Sequence, residues 1–263
     1  MTNLTASYAV FGNPVEHSKS PDIHHQFAEQ TQQVMRYRKQ LVAIDAFEMT
    51  AQEFFDQGGS GLNVTVPFKL AAYHFAAQLT ERAKIAGAVN TLIKKDGMII
   101  GDNTDGCGLL RDIRDNLQWP LAQQNILILG AGGAVRGILA PLLAANPQSI
   151  TIANRSLKKA QNLVQLLSQK TGFNRATAVS LAECDGSDAD IIINSTSLGL
   201  KEIDPLPLPL NNLKEDTVIA DIIMVPAETK WLIAAKAAGF RVHYGRHMLD
   251  FQMELIGKFI GAL

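Results

Sequence analysis

The chain has 263 residues, 47% hydrophobic side chains and a formal charge of −1, which describes a globular protein of up to two ordinary domains. So balanced a charge excludes bulk attraction to nucleic acid or to a membrane surface, no apolar run is long enough to span a bilayer, and no basic region precedes an apolar one near the N-terminus, so no leader is expected. Two cysteines, Cys107 and Cys184, offer neither a disulfide framework nor metal-ligand spacing, so a reducing cytoplasm is expected and a metal is not.

Tyr8-Ala9-Val10-Phe11-Gly12 reads as a strand ending in a turn, and a helix follows from about Asp22 to Gln32. Between them lies Gly12-Asn13-Pro14-Val15-Glu16-His17-Ser18-Lys19-Ser20-Pro21. In extended backbone, Ser18 and Ser20 point their hydroxyls the same way, a pair suited to the carboxylate of a small acid. Serine before proline also caps helices, and the local sequence leaves both readings open.

A strand over Tyr37–Val42 and a helix over Phe47–Gln57 lead to Gly61-Leu62-Asn63-Val64-Thr65-Val66-Pro67-Phe68-Lys69. Asn63 to Val66 alternates as a strand does, and Pro67 stops the ladder. Thr65 and Lys69 therefore fall at a strand end and the turn after it, where sites are commonly built. A surface lysine is ordinarily a solvated charge, but this one sits in a strongly apolar frame. A helix over Leu70–Leu79 comes next, then Thr80-Glu81-Arg82-Ala83 and Gly87-Ala88-Val89-Asn90-Thr91. A hairpin turning at Asp96-Gly97 delivers Gly101-Asp102-Asn103-Thr104-Asp105-Gly106, which read locally is a polar loop. A helix from about Gly108 to Leu117 follows.

The stretch from Asn125 organises the remainder. Ile126 to Leu129 is a short apolar run that reads as a buried parallel strand. Gly130-Ala131-Gly132-Gly133-Ala134 follows at once, then an apolar helical pattern and a second strand, Ile150–Ala153. Strand, glycine turn, helix and strand form the unit that holds a dinucleotide pyrophosphate at a helix N-terminus. Gly130 allows the sharp turn, and Gly132 leaves the phosphates room to approach. Val135 stands where a third small residue is usual. An acidic residue ending the second strand would bind a ribose 2′-hydroxyl and favour NAD. Here Asn154-Arg155-Ser156 stands there, with Lys158 and Lys159 one turn on, a set that suits a 2′-phosphate and so NADP.

Beyond this, a helix to about Lys170, a strand near Ala178 and a buried strand Ile191–Ile193 ending in Asn194-Ser195-Thr196-Ser197 continue the α/β alternation. Val218–Ile223 is a further strand, Lys230–Gly239 a helix, Arg241–Tyr244 a strand, and a last helix from about Met248 to Ile260 carries Gln252.

Taken together, Gly12-Asn13-Pro14…Ser18-Lys19-Ser20-Pro21, Asn63-Val64-Thr65-Val66-Pro67-Phe68-Lys69, Gly87-Ala88-Val89-Asn90-Thr91, Gly101-Asp102-Asn103-Thr104-Asp105-Gly106, the glycine turn and Asn154-Arg155-Ser156 resemble the shikimate dehydrogenase family, in its order and over nearly the whole chain. The resemblance implies an α/β fold of two domains with the active site in the cleft between them. One is an α/β substrate-binding domain over residues 1–105 that 240–263 rejoins. The other is a Rossmann-type parallel-sheet NADP(H)-binding domain over residues 106–239. It implies interconversion of 3-dehydroshikimate and shikimate by a cytoplasmic monomer or homodimer. Ser18 and Ser20 would bind the substrate carboxylate, Thr65, Asn90 and Gln252 its ring hydroxyls, and Lys69 with Asp105 would form the catalytic pair. Gly130, Ala131, Gly132, Gly133, Ala134, Asn154, Arg155, Ser156 and Lys159 would hold the cofactor, with Glu81, Thr196, Ile222 and Gly245 near it.

Reducing a ketone puts negative charge on the carbonyl oxygen and requires a proton there. An ammonium oriented by a carboxylate supplies both. The C-terminal third departs from the family pattern. Asp221-Ile222-Ile223-Met224 puts Met224 where the family has a tyrosine near the substrate, and Gly245-Arg246-His247-Met248-Leu249 replaces Gly-Leu-Gly-Met-Leu. Met224 bears on substrate identity, so a quinate-type or other cyclic hydroxy-acid dehydrogenase is the first rival. A ligand sensor on the same fold is the second, and retention of both Lys69 and Asp105 argues against it.

Overall fold

The computed structural model describes residues 6–248 and Ile256. The chain divides into two compact units, one reaching Asp105 and the other spanning Gly106–Leu249.

The first unit runs β1 (Ala6–Gly12), α1 (Ser20–Gln30), β2 (Met35–Leu41), α2 (Phe47–Asp56), β3 (Gly59–Val64), α3 (Lys69–Phe75), β4 (Gln78–Leu79), α4 (Glu81–Ala86), β5 (Thr91–Lys95) and β6 (Met98–Asp102). They form a six-stranded sheet in the order β2-β1-β3-β5-β6-β4. β1 is parallel to both neighbours, while β5 and β6 form the expected hairpin, Lys95 facing Met98 across it. Its core is aromatic: Phe11 meets Phe47 and Phe54 edge-on at 6.3 and 5.7 Å, and Phe47 stacks on Phe68 at 5.2 Å. Such pairs add to the area they bury. β2 lies at the sheet edge and exposes Arg36, Arg38 and Lys39, charges that discourage strand addition from outside.

Two local expectations shift. The helix expected to reach Leu79 stops at Phe75, because Ala76 turns extended and the Ala77 N–H donates to Ile99 O (2.9 Å), starting the edge strand β4. The strand expected to reach Val66 ends at Val64, leaving Thr65 just past it.

His24 on α1 is buried and stacks on Tyr37 at 4.2 Å, and its Nε2 has no partner among the described residues. Burial, helped by neighbouring His25, lowers its pKa to about 4. The unfolded imidazole, near 6.5, takes up a proton first, so stability is full above about pH 6.5 and is lost as pH falls towards 4, by up to about 3 kcal/mol. The urea midpoint is expected to drop between pH 7 and 4.5, and to drop less in His24→Phe. Equal drops in both proteins would remove His24 from the explanation.

The second unit begins with α5 (Asp105–Arg111), which runs into a π-helical turn, Asp112–Asn116. Helix starts at Asp105 rather than Gly108 because the Asn103 side chain accepts from the Asp105 N–H (3.3 Å). Then come β7 (Asn125–Leu129), α6 (Gly133–Ala144), β8 (Ser149–Asn154), α7 (Leu157–Thr171), β9 (Ala176–Ser180), β10 (Ile191–Asn194), β11 (Val218–Asp221), α8 (Lys230–Ala237) and β12 (Arg241–His243). The six strands are all parallel in the order β12-β11-β10-β7-β8-β9. That is the doubly wound Rossmann order, whose switch point falls between β7 and β10. The near-continuous apolar runs expected of strands covered on both faces are present, with every residue of β10 and β11 buried.

Because β12 pairs with β11, residues from 240 through the helical turn at 245–248 group with this unit and not with the first, which moves the expected boundary at 240. Gln252, and the return of the last helix to the first domain, lie outside the described residues. No helix among the described residues is long and apolar enough to cross a membrane.

Candidate functional site

In the first unit the site is a chain of polar side chains on the sheet. Lys69 opens α3, and its Nζ donates to Asp105 Oδ2 at 2.5 Å, with the two side chains 18% and 8% exposed. Asn90, just before β5, donates through Nδ2 to Asp105 Oδ1 (2.7 Å) and to Thr104 Oγ1 (3.0 Å), and its Oδ1 accepts from the Thr104 N–H (3.0 Å). The carboxylate therefore has both oxygens engaged, one by the ammonium and one by an amide, which fixes the direction in which it holds Lys69.

The chain continues through residues the sequence reading did not assign. Thr91 Oγ1 donates to Asn90 Oδ1 (3.0 Å) and accepts from Asn63 Nδ2 (3.1 Å), while the Tyr37 hydroxyl donates to Asn63 Oδ1 (2.6 Å). Tyr37 is buried, which raises its pKa, and a hydrogen bond from Ser20 partly offsets this. Ser20, Tyr37, Asn63, Thr91, Asn90, Asp105 and Lys69 thus form one connected network. The signal was present: Asn63 is a polar residue set between apolar Leu62 and Val64, two positions before Thr65.

Behind the loop, Asp102 is fully buried and receives Thr80 Oγ1 (2.5 Å), Arg82 Nε (3.0 Å) and a further short contact from the Arg82 terminal nitrogen. This two-point guanidinium grip anchors the strand end that carries Asn103, Thr104 and Asp105.

The extended Ser18–Ser20 pair is not what forms. Ser20 is the first residue of α1, and Ser18 Oγ accepts from its N–H at 3.3 Å, so Ser18 takes a helix-start role while Ser20 faces Tyr37. Thr65 is half-buried behind Gly12. Glu81 is exposed on α4, paired with Lys84 at 2.6 Å.

In the second unit the glycine turn sits at the sheet's switch point. Gly130 has φ +110, and a Cβ there would lie 3.0 Å from Ser195 O, so glycine is demanded by conformation and by the loop after β10. Gly132 and Gly133 differ: both are exposed, and a Cβ on either would meet nothing within 4 Å. The protein's own packing does not require glycine there, and the N-terminus of α6 is left open. Ala131 and Ala134 are half-buried beside them, and Val135, in the third small position, is fully buried in the core.

Thr196 follows β10, its hydroxyl donating to Asn194 Oδ1 (2.7 Å) and accepting from Leu198 N (3.0 Å). Gly245 lies against the next loop, where a Cβ would fall 2.7 Å from Ile222 O and closer still to Ile223 O. Ile222 and Met224 are half-buried against the core of this unit. At the end of β8, Asn154 Nδ2 donates to Ser156 O (2.9 Å). Arg155, Ser156, Lys158 and Lys159 are exposed, and Arg155 and both lysines make no ion pair among the described residues. Ser156 begins α7 without using its hydroxyl as a cap. These groups fit a phosphorylated dinucleotide: an open amide-rich turn at one strand end and unpaired cations at the next. A cavity of about 410 Å³ lies instead at the opposite, N-terminal ends of β7 and β8, around Asn125, Ser149 and Cys184, away from this cradle.

Comparison with known proteins agrees with the geometry. The family described as shikimate dehydrogenase substrate binding domain matches residues 10–92, and shikimate / quinate 5-dehydrogenase matches 113–204. The shikimate dehydrogenase (NADP(+)) of Cellvibrio japonicus is 51% identical over 256 residues, covering 97% of this chain and 89% of its own. Among solved structures, an Ael1 enzyme from Pseudomonas putida superposes with TM-score 0.88 at 38% identity, over 98% of this chain and 94% of that one. Shikimate 5-dehydrogenase from Thermus thermophilus, in complex with NADP(H) and shikimate, does so with TM-score 0.87 at 30% identity over 98% and 94%.

Proposed function

Because the chain belongs to the shikimate dehydrogenase family, we propose that it catalyses the reversible, NADP-dependent reduction of 3-dehydroshikimate to shikimate, a step towards aromatic precursors. The observation that carries this reading is the Lys69–Asp105 pair with its Asn90 support. Bound at the glycine turn, the coenzyme supplies or accepts the hydride.

The chain's own residues do the remainder. Lys69 gives a proton to the carbonyl oxygen as that oxygen gains charge, and takes one from the hydroxyl in the reverse direction. Asp105 keeps the ammonium aimed and compensates its charge, while Asn90 holds the second carboxylate oxygen so that the pair does not rotate. On the resemblance, and not through a shared extended face, Ser18 and Ser20 take the substrate carboxylate, and Thr65 and Asn90 take ring hydroxyls, with Gln252 as a third such contact. Arg155, Ser156 and Lys159 take the 2′-phosphate. Gly130, Ala131, Gly132, Gly133 and Ala134 cradle the pyrophosphate, with Thr196, Ile222, Gly245 and Glu81 beside the coenzyme. Cys107 and Cys184, neither of them in a disulfide among the described residues, suit a reducing cytoplasm.

Met224 favours a second reading, a related cyclic hydroxy acid such as quinate. Its thioether packs against the core and offers no hydroxyl to a ligand. Initial rates with shikimate and quinate, each against NADP and NAD, separate the two. Fast turnover of shikimate with NADP alone is expected. A preference for quinate would transfer the assignment to the second reading, and no turnover of either would reject both.

A further inference from the structure

Near the C-terminal end of the second unit, side chains to which the dehydrogenase chemistry gives no role come together as a group of three metal ligands. Asp112 opens the π-helical turn, His243 ends β12, and His247 lies four residues on, in the helical turn at 245–248. One ligand atom from each lies within 4.8 Å of the other two. His247 Nδ1 is 3.1 Å from Asp112 Oδ1, and His243 Nδ1 contacts Oδ2 of the same carboxylate. We propose that Asp112, His243 and His247 form a binding site for a divalent transition-metal ion, zinc by its ligand chemistry.

Three features support the reading. Two imidazoles and one carboxylate are the donor set that zinc and its neighbours take, with a fourth position left for water. Zinc at about 2.0–2.1 Å from nitrogen in a tetrahedron separates neighbouring donors by about 3.3 Å, close to the His247–Asp112 distance, so a small parting of His243 from Asp112 completes the site. The burial is also graded. Asp112 and His243 side chains are 0% exposed while His247 is 42% exposed, so the protein closes two sides and leaves solvent access on the third.

Charge points the same way. The Asp112 carboxylate is wholly buried, and His243 also feels buried Asp221, whose own oxygens are occupied by Asn194, Thr229 and the Ile223 N–H. Both carboxylates lie close to the imidazoles, and a bound dication would be attracted to them. The sequence does not announce the set, since Asp112 and His243 are 131 positions apart.

The test uses the full chain dialysed against EDTA and then titrated with Co²⁺ or Zn²⁺ alone. About one equivalent of Co²⁺ is expected to produce the visible absorption bands of a four-coordinate site, with Zn²⁺ displacing them. Zinc held about 100-fold above its Kd is expected to raise Tm by about 5 °C or more. His247→Ala, at a half-exposed position, is expected to stay folded and lose both responses, and His243→Gln serves as the second variant. Folded wild-type protein without cobalt bands or a zinc-dependent Tm would overturn the proposal, as would bands that survive His247→Ala. Neither readout depends on dehydrogenase activity.

Discussion

Lys69→Ala is expected to lower kcat for shikimate oxidation by about 10³-fold, within the range for loss of a general acid–base, while KM changes by less than about tenfold. The reason lies in the connected network rather than in the lysine alone. Its ammonium is 2.5 Å from Asp105, whose other oxygen is held by Asn90 at 2.7 Å, so the proton donor is aimed before substrate arrives. Removing the ammonium also leaves a buried carboxylate without its counter-charge, so a drop in Tm is expected alongside. The double variant Lys69→Ala/Asp105→Asn separates the two effects. If the pair acts as one unit, the double variant turns over about as slowly as the worse single variant and regains part of the lost Tm. Near-wild-type turnover in folded Lys69→Ala protein would remove the lysine from the chemistry.

What could be read from the sequence was whatever has a local period. Apolar runs such as Ile191–Ile193 declared buried parallel strands, and Gly130-Ala131-Gly132 declared a tight turn between a strand and a helix. Lys69 and Asp105 were legible from the resemblance, yet the distance joining them was not, since they are 36 positions apart and meet only when β3, β5 and β6 pair. Asn63 escaped for the same reason: its links to Tyr37 and Thr91 cross three strands. At Ser18 and Ser20 only the geometric argument changes, and their carboxylate role rests on the resemblance. An i, i+2 spacing implies a shared face only in extended backbone, and a helix beginning at Ser20 removes that condition. Helix ends depended on competition invisible to periodicity, as where Ala77 gave its N–H to Ile99 and ended α3 early.

Coenzyme choice supplies the other large effect. Arg155→Ala is expected to raise KM for NADP by about 10- to 100-fold and leave KM for NAD nearly unchanged, because a charge-assisted bond to phosphate contributes about 1.5–3 kcal/mol. Arg155 is exposed at the turn between β8 and α7 and has no ion pair among the described residues, and the same holds for Lys158 and Lys159. Three unpaired cations within five residues repel one another, so a dianion arriving there relieves repulsion as well as gaining attraction. The N-terminus of α7 adds its own partial positive charge, since Ser156 does not spend its hydroxyl on a cap. Two further measurements sharpen the prediction. Raising salt should weaken NADP binding more than NAD binding, because only the former uses these exposed charges. Arg155→Asp should go beyond alanine, repelling the 2′-phosphate and offering acceptors to a 2′-hydroxyl, so that the NADP-to-NAD ratio of kcat/KM inverts. An unchanged ratio in both variants would place the 2′-phosphate elsewhere, and the basic start of α7 would then be only a solvated surface.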